Sequence, residues 1–401
     1  MFFLVIIKKS AKFAGFIMNY KGILEKIDSA TCIILMLFAL AVVVQLVYYL
    51  LVYLKAVFGK EKQDNAQAGD IQSVSVIVCA RNEEKNLKQN LVAILEQDYP
   101  SFEVIVVNDC SEDNTEQLLA ELKEKYSHLR STIIKQTASF LNWKKFATTV
   151  GIKAAKYEWL LFTDPDCRPE NSQWIASMSR YFVDSKDIVL GYCSYMPQKG
   201  YWNRLLRYNT LFNALQYFGF ALHGKAYTGD GRNMAYRKSL FYKHNGFALH
   251  AHIISGDDNL FVNQAAHKKN VATVRSEKAF IRQLPTKSGK KEWIFQKNRQ
   301  ITSGKYYSSL QSFCLTLEPL SRMVMWVSFA VLMIFSPCWQ YVLMVFMLRM
   351  IVLLWTTVKA VKKFKEPGIL QHVIVFDMLM PFVDFYMFLF NRISSKNIKW
   401  H

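Results

Sequence analysis

Apolar positions along this chain follow two different rhythms. Thr31–Leu54 is apolar on every helical face and interrupted only by Gln45, with Tyr48, Tyr49 and Tyr53 toward its end. That run is long enough for a membrane-crossing helix with an interfacial aromatic belt. From Ser73 the rhythm shortens. Val74–Cys79, Glu103–Asn108, Ser131–Ile134 and Trp159–Phe162 are short β-branched or aromatic runs that predict buried strands. Between them Asn86–Gln97, Thr115–Tyr126 and Phe146–Lys156 carry helical spacing. Strand and helix in alternation predict an α/β domain around a parallel, doubly wound sheet.

The long rhythm returns after Arg322. Met323–Phe335 and Val342–Val358, joined at Ser336-Pro337, predict a hairpin of spanning helices, and His372–Phe390 is a third candidate, spanning or re-entrant. Arg349, Asp377 and Asp384 lie inside these segments and must face a protein interior or a wet cavity. Trp202–Leu222 is an amphipathic helix, placed either on the bilayer surface or against the sheet. The resulting division is a leader (1–30), a transmembrane helix (31–54), a linker (55–72), an α/β domain (73–304), an interfacial segment (305–322), two or three transmembrane helices (323–391) and a tail (392–401).

Composition sharpens this picture. The chain is 52% hydrophobic and 20% charged, with the two kinds segregated, and its formal net charge is +19. Such a balance suits nucleic acid, or anionic lipid and phosphorylated substrates; the long apolar segments favour membrane and phosphate over nucleic acid. Lys359, Lys362, Lys363 and Lys365 mark a cytoplasmic loop. The lysines before Thr31 and the residues Arg392, Lys396 and Lys399 fall outside if every segment spans and the α/β domain is cytoplasmic. The seven cysteines have no paired spacing and read as reduced thiols.

Three strand ends carry acidic residues at one edge: Glu83 after Ala80-Arg81-Asn82, Asp109, and the Asp164/Asp166 pair between Pro165 and Pro169. Ligands of open α/β sheets collect at the carboxyl ends of strands. Paired carboxylates there suit a hard divalent ion shared with phosphate, and also suit a plain capped turn. The glycine pattern of a dinucleotide fold is missing after the first strand. Further on, Thr228–Tyr236 contains Gly229 and Gly231, which permit close backbone approach to a ligand. Ser255-Gly256-Asp257-Asp258 opens a helix.

These motifs, from about Val74 to Arg299, resemble the family 2 inverting glycosyltransferases of GT-A fold, in the membrane-embedded, polysaccharide-synthase-like branch. The resemblance implies a Rossmann-like mixed sheet, a nucleotide-diphosphate sugar donor (a UDP-sugar above all), Mg²⁺ or Mn²⁺, and a lipid-linked or saccharide acceptor. It implies donor binding by Arg81, Glu83, Asp109, Lys144 and Asp164, with Asp109 reading the base. It places the metal on Asp166 and Asp164, acceptor or diphosphate contacts on Gly231, Asn233, Gln296 and Arg299, and the general base on Asp258, with Asp257 as its fallback. Trp143 replaces the family's glycine before the lysine. Gln300 replaces its tryptophan, which removes a stacking platform and points to addition of one or a few sugars. The alternative is a catalytically silent, nucleotide-sugar-binding partner of a membrane synthase. A transporter with a regulatory domain fits poorly, given few polar residues inside the helices. The whole reads as a multi-pass protein of the cell inner membrane with a cytoplasmic catalytic domain.

Overall fold

The structure, a computed structural model, describes residues 28–60, 71–135, 143–251, 253, 256–284, 290–291, 293–294, 297–298 and 304–393. Most of the leader, the middle of the linker, the end of the tail, and Gln296, Arg299 and Gln300 lie outside these residues.

A seven-stranded sheet in the order β3-β2-β1-β4-β8-β6-β9 forms the centre of the α/β domain. Its strands are β1 (Val74–Ala80), β2 (Phe102–Asp109), β3 (Leu129–Ile134), β4 (Trp159–Thr163), β6 (Ile188–Leu190), β8 (Met234–Arg237) and β9 (Val271–Thr273). Helices α2 (Glu84–Leu95), α3 (Thr115–Lys125) and α4 (Trp143–Ala154) are the crossovers between β1 and β4. Period-two alternation buries both faces. Val76, Val78, Val104 and Val106 pack with α2, while Ile77, Ile105, Val107 and Phe162 pack on the opposite side.

The sheet is mixed rather than wholly parallel, because β8 runs antiparallel to both β4 and β6. A second, three-stranded sheet joins β5 (Cys167–Pro169), β10 (Ile281–Gln283) and β7 (Cys193–Tyr195). Short helices α5 (Trp174–Ser179), α7 (Lys238–Lys243) and α8 (Asn259–Ala265) complete the domain.

Among the described residues, four helices are long and apolar enough to cross a membrane: α1 (Ser29–Phe58), α9 (Ser309–Phe335), α10 (Trp339–Phe364) and the segment Leu370–Leu389, most of which belongs to α11 (Val373–Ile393). The stretch 305–322 is not a separate interfacial piece. Ser308 and Gln311 form a capping box that starts α9, and the helix continues through Pro319. Glu318 and Arg322 face inward and pair with each other, so these charges do not mark a membrane border.

Helix α6 (Tyr201–Leu222) takes the buried alternative. Most of its side chains are covered, against α1, β7 and the long apolar helices, so the core beneath the sheet continues into the helical bundle. Inside that bundle Arg349 and Asp377 are fully buried and meet in two hydrogen bonds of 2.6 and 2.8 Å. Gln45 accepts from Arg349, and Trp326 donates to Asp377. Each charge supplies the partner that the other requires.

Candidate active site

Strands β1, β2 and β4 are parallel and in register, so their carboxyl ends lie side by side. Because β8 is antiparallel, its amino end, and with it the loop 228–233, comes to the same edge. The residues after β1 and β2 turn sharply there. Asn82 and Cys110 each adopt a left-handed conformation, at φ 55° and 53°. Asn82 N–H donates to Ser111 Oγ (2.9 Å), and Glu112 N–H donates to Asn82 Oδ1 (2.7 Å), which fastens the two loops together. Asp113 accepts from the backbone N–H groups of both Glu84 and Thr115, where α2 and α3 begin.

The acidic residues along this edge are held in environments unlike water. Burial raises the Glu83 carboxyl to about 7; the Asn86 amide opposes this, and the charges of Asp166 and Asp164 add to it. Burial likewise pushes Asp166 up to about 6, helped by the charge of Asp164 and opposed by the Gln283 amide, which donates to Asp166 Oδ2 at 2.6 Å. Asp109 is buried, and its Oδ1 has no hydrogen-bond partner among the described residues. Burial raises its carboxyl, with Arg81 acting against the rise.

Helix α4 delivers two lysines to the site. Lys144 Nζ lies 3.2 Å from Asp164 Oδ1 and 3.7 Å from Asp257 Oδ2, linking the end of β4 to the loop before α8. Lys145 is buried and donates to the carbonyls of His250 (2.5 Å) and Ile253 (2.9 Å). Gly256 at φ 101° turns the chain into Asp257 and Asp258. Asp258 caps α8 by accepting from Asn259 N–H (2.7 Å), and it also accepts from Gly231 N–H (3.2 Å). A Cβ on Gly231 would lie 3.0 Å from Asp258 Oδ2, so any larger residue would press on the Asp258 side chain.

Burial lowers the Lys145 ammonium to about 8, although Asp257 and Asp258 hold it up. A depressed lysine disfavours its charged form in the fold. Global stability therefore gains as pH rises from about 8 toward the unfolded value, while the cationic hold on the two aspartates is lost over the same range. An alkaline decline in activity with a midpoint near 8 is expected without loss of Tm, and Lys145→Gln should remove that limb. A pH profile unchanged by Lys145→Gln would assign the lysine to packing alone.

Lys144, Asp164, Gly231 and Asp258 share one cavity of about 770 Å³, which also reaches α9 and α11. Asn233 is turned elsewhere. Its amide is fully buried, accepts from Trp174 Nε1, and donates to the carbonyls of Tyr192 and Ala279 at 2.8 Å each. It ties β7, β8 and α5 together behind the site rather than lining it. Two participants escaped the sequence reading. Gln283 holds Asp166 and accepts from Arg232 (2.5 Å), and Arg232 is itself gripped by Asp230 at 2.6 and 2.8 Å. Gln283 sits on a three-residue strand with no periodic signal. Arg232 lies within the glycine segment, and its pairing with Asp230 two residues earlier was the available clue.

A mixed sheet with acidic strand ends at one edge and an antiparallel strand beside them has the organisation of the GT-A fold. Residues 75–244 match the model of Glycosyl transferase family 2, and this segment is a glycosyl transferase family 2 domain. The chain is 27% identical over 128 residues to a poly-beta-1,6-N-acetyl-D-glucosamine synthase of Staphylococcus epidermidis, covering 30% of this chain and 29% of that one. It is 28% identical over 210 residues to the poly(ribitol-phosphate) beta-N-acetylglucosaminyltransferase TarS of Staphylococcus aureus, covering 51% of this chain and 34% of the relative. The matches thus span about a third of those relatives. Among solved structures, the mannosyltransferase PcManGT of Pyrobaculum calidifontis in complex with GDP-Man and Mn²⁺ superposes with a TM-score of 0.57. At 17% identity, covering 86% of this chain and 98% of that one, it shows the fold.

Proposed function

We propose that this chain is a membrane-anchored, metal-assisted inverting glycosyltransferase that moves a sugar from a nucleotide-diphosphate sugar to a lipid or saccharide acceptor. The observation that carries this reading is the single cavity shared by Asp164 and Lys144 at the sheet edge and Asp258 at the start of α8. In this reading Asp109, with its unpartnered buried oxygen, receives the nucleotide base, and Arg81, Glu83 and Lys144 flank the nucleotide. The names of the relatives and the GDP-Man of the PcManGT complex support a nucleotide-sugar donor; the UDP-sugar stays an expectation of the resemblance.

Asp164 and Asp166 fit a divalent ion. Their mutual repulsion and burial call for a cation, and Mg²⁺ typically takes one or two carboxylates plus substrate phosphates rather than a full protein cage. Among the described residues no group of three or more His, Cys, Asp or Glu forms such a cage. When bound, Mg²⁺ or Mn²⁺ would offset charge developing on the departing nucleoside diphosphate.

Asp258 then removes the proton from the acceptor oxygen as that oxygen bonds to the anomeric carbon. The carbon–oxygen bond to the diphosphate breaks, and its electron pair leaves with the diphosphate. Asp257 is the lesser candidate, because it is engaged toward Lys144 and does not line the cavity, whereas Asp258 does.

The orientation we propose is supported by the contacts at the end of α10. Lys365 pairs with Glu277, and Glu366 is buried against the α/β domain, so the lysines ending α10 lie on the catalytic side. A lysine-rich loop and a nucleotide-sugar donor both favour the cytoplasm for that side.

Purified chain in lipid nanodiscs, incubated with UDP-, GDP- and dTDP-sugars, should release nucleoside diphosphate from one donor class. Binding without release from any donor would favour the silent-partner alternative. Chelator should weaken donor binding and Mn²⁺ should restore it. Asp166→Ala should lose that recovery while keeping the parent's thermal stability. Metal-independent turnover at an undiminished rate would remove the metal from the mechanism.

A further inference from the structure

The cavity has two chemically different ends. One carries Lys144, Asp164 and Asp258; the other is walled by Leu315, Leu320 and Met323 of α9 and by Phe385 and Phe388 of α11. Leu320, Phe385 and Phe388 not only line the cavity but are also 46%, 48% and 43% exposed. The apolar end is thus built by accessible side chains of two helices long enough to span a membrane.

A proline stands in each wall at this level, Pro319 in α9 and Pro381 in α11, and both line the cavity. Proline has no N–H for the helical ladder, and its ring crowds the carbonyl four residues earlier, here those of Leu315 and Asp377. Two helices each carrying such a fault do not pack as straight, continuous rods. The cavity also carries a polar girdle of Asn213, Gln216, Lys297, Lys305 and Ser312, with Lys297 Nζ 2.9 Å from Asp384.

We propose that the acceptor is a membrane lipid that enters sideways between α9 and α11, its hydrocarbon chain against the apolar end and its nucleophilic head oxygen presented to Asp258. This rests on the glycosyltransferase reading and deepens it. A saccharide chain lying in the same passage would place hydroxyl groups against Leu, Met and Phe side chains that offer no hydrogen-bond partner, at a large desolvation cost. A hydrocarbon chain loses nothing there. The girdle accommodates the polar head that separates the chain from the reacting oxygen.

The shared chemistry, an oxygen nucleophile on a long hydrocarbon, has two sources that one experiment separates. Full-length protein is reconstituted in phosphatidylcholine vesicles containing either diacylglycerol or a polyprenyl monophosphate. Radiolabelled donor is added, and label is followed into solvent-extractable product, alongside diphosphate release and a water-soluble oligosaccharide arm. Label in the lipid phase of either arm supports the proposal and names the source. Diphosphate release with label only in soluble saccharide or free sugar overturns the portal and leaves the enzyme reading standing. Absence of diphosphate release from every donor overturns both.

A plugging variant gives the second readout. Leu320→Trp with Phe388→Trp should cut lipid product at least tenfold while leaving donor affinity and slow donor hydrolysis as in the parent. Leu320→Ala, which widens the same end, should keep lipid transfer, and retained donor binding in both variants separates plugging from misfolding. Parent-level lipid transfer by the double tryptophan variant overturns the proposal.

Discussion

Asp258→Asn is expected to bind donor within a few-fold of the parent and to transfer sugar about 10²–10⁴ times more slowly, the usual contribution of a positioned general base. Asparagine keeps the size of the side chain and its capping of Asn259 N–H, so α8 should start where it does now. What disappears is the charge that accepts a proton. Two backbone N–H groups, from Asn259 and Gly231, favour the ionised form of Asp258, and nearby Lys145 adds a positive field. Asp257→Asn should cost less in the chemical step, because Asp257 faces Lys144 and lies outside the cavity wall. Single-turnover measurements with saturating donor separate the two variants from any defect in binding. An inactive Asp257→Asn beside an active Asp258→Asn would exchange the two roles. If both variants kept parent activity, the pair would not be catalytic at all.

The parts of this site that could be read from sequence are those where an apolar run ends abruptly in charge. Val74–Ala80, Phe102–Asp109 and Trp159–Thr163 are buried along their lengths, and each hands over to Arg81–Glu83, Asp109 or Asp164–Asp166 at the same edge. A parallel register converts that repeated pattern into one site. The three-stranded sheet gave no such signal, because strands of three residues have no measurable alternation. Asn233 shows a different limit. The family resemblance implied a place beside the acceptor, but a motif does not say which way a side chain turns, and the Trp174 indole and two carbonyls hold its amide.

Buried charges were legible one at a time and not as pairs. Arg349 and Asp377 each demanded an interior partner, yet nothing in their separation along the chain showed that α10 and α11 would bring them together. Arg207, Arg282 and Glu366 were not legible at all, lying on a helix, a strand and a loop far apart in sequence.

That last cluster sets the second large expectation: Glu366→Ala should destabilise the protein by about 3–5 kcal/mol, the range for removing one partner of a buried ion pair. Glu366 is fully buried at the end of α10, where it accepts from Arg207 Nε (2.6 Å), from Tyr192 OH (2.9 Å) and from Arg282 Nη1. Arg207 and Arg282 are themselves 1% exposed, so alanine would strand two guanidinium groups beyond the reach of water. Arg282 keeps the carbonyls of Phe364 and Lys365 and the carboxylate of Glu170, which places the larger penalty on Arg207. The consequence should travel into the site, since Arg282 is followed on β10 by Gln283, the residue that holds Asp166 and Arg232. A loosened β10 therefore predicts a lower Tm in detergent together with a weaker response of donor binding to Mn²⁺. Replacing all three charges at once, Arg207→Met with Arg282→Met and Glu366→Leu, should recover much of the lost Tm, because the only charge then left unpaired, Glu170, is exposed to water. A Glu366→Ala protein as stable as the parent would show that water reaches this cluster, and that the contact between α10 and the catalytic domain is held by apolar packing of Phe364 against Tyr192, Phe218 and Phe280 instead.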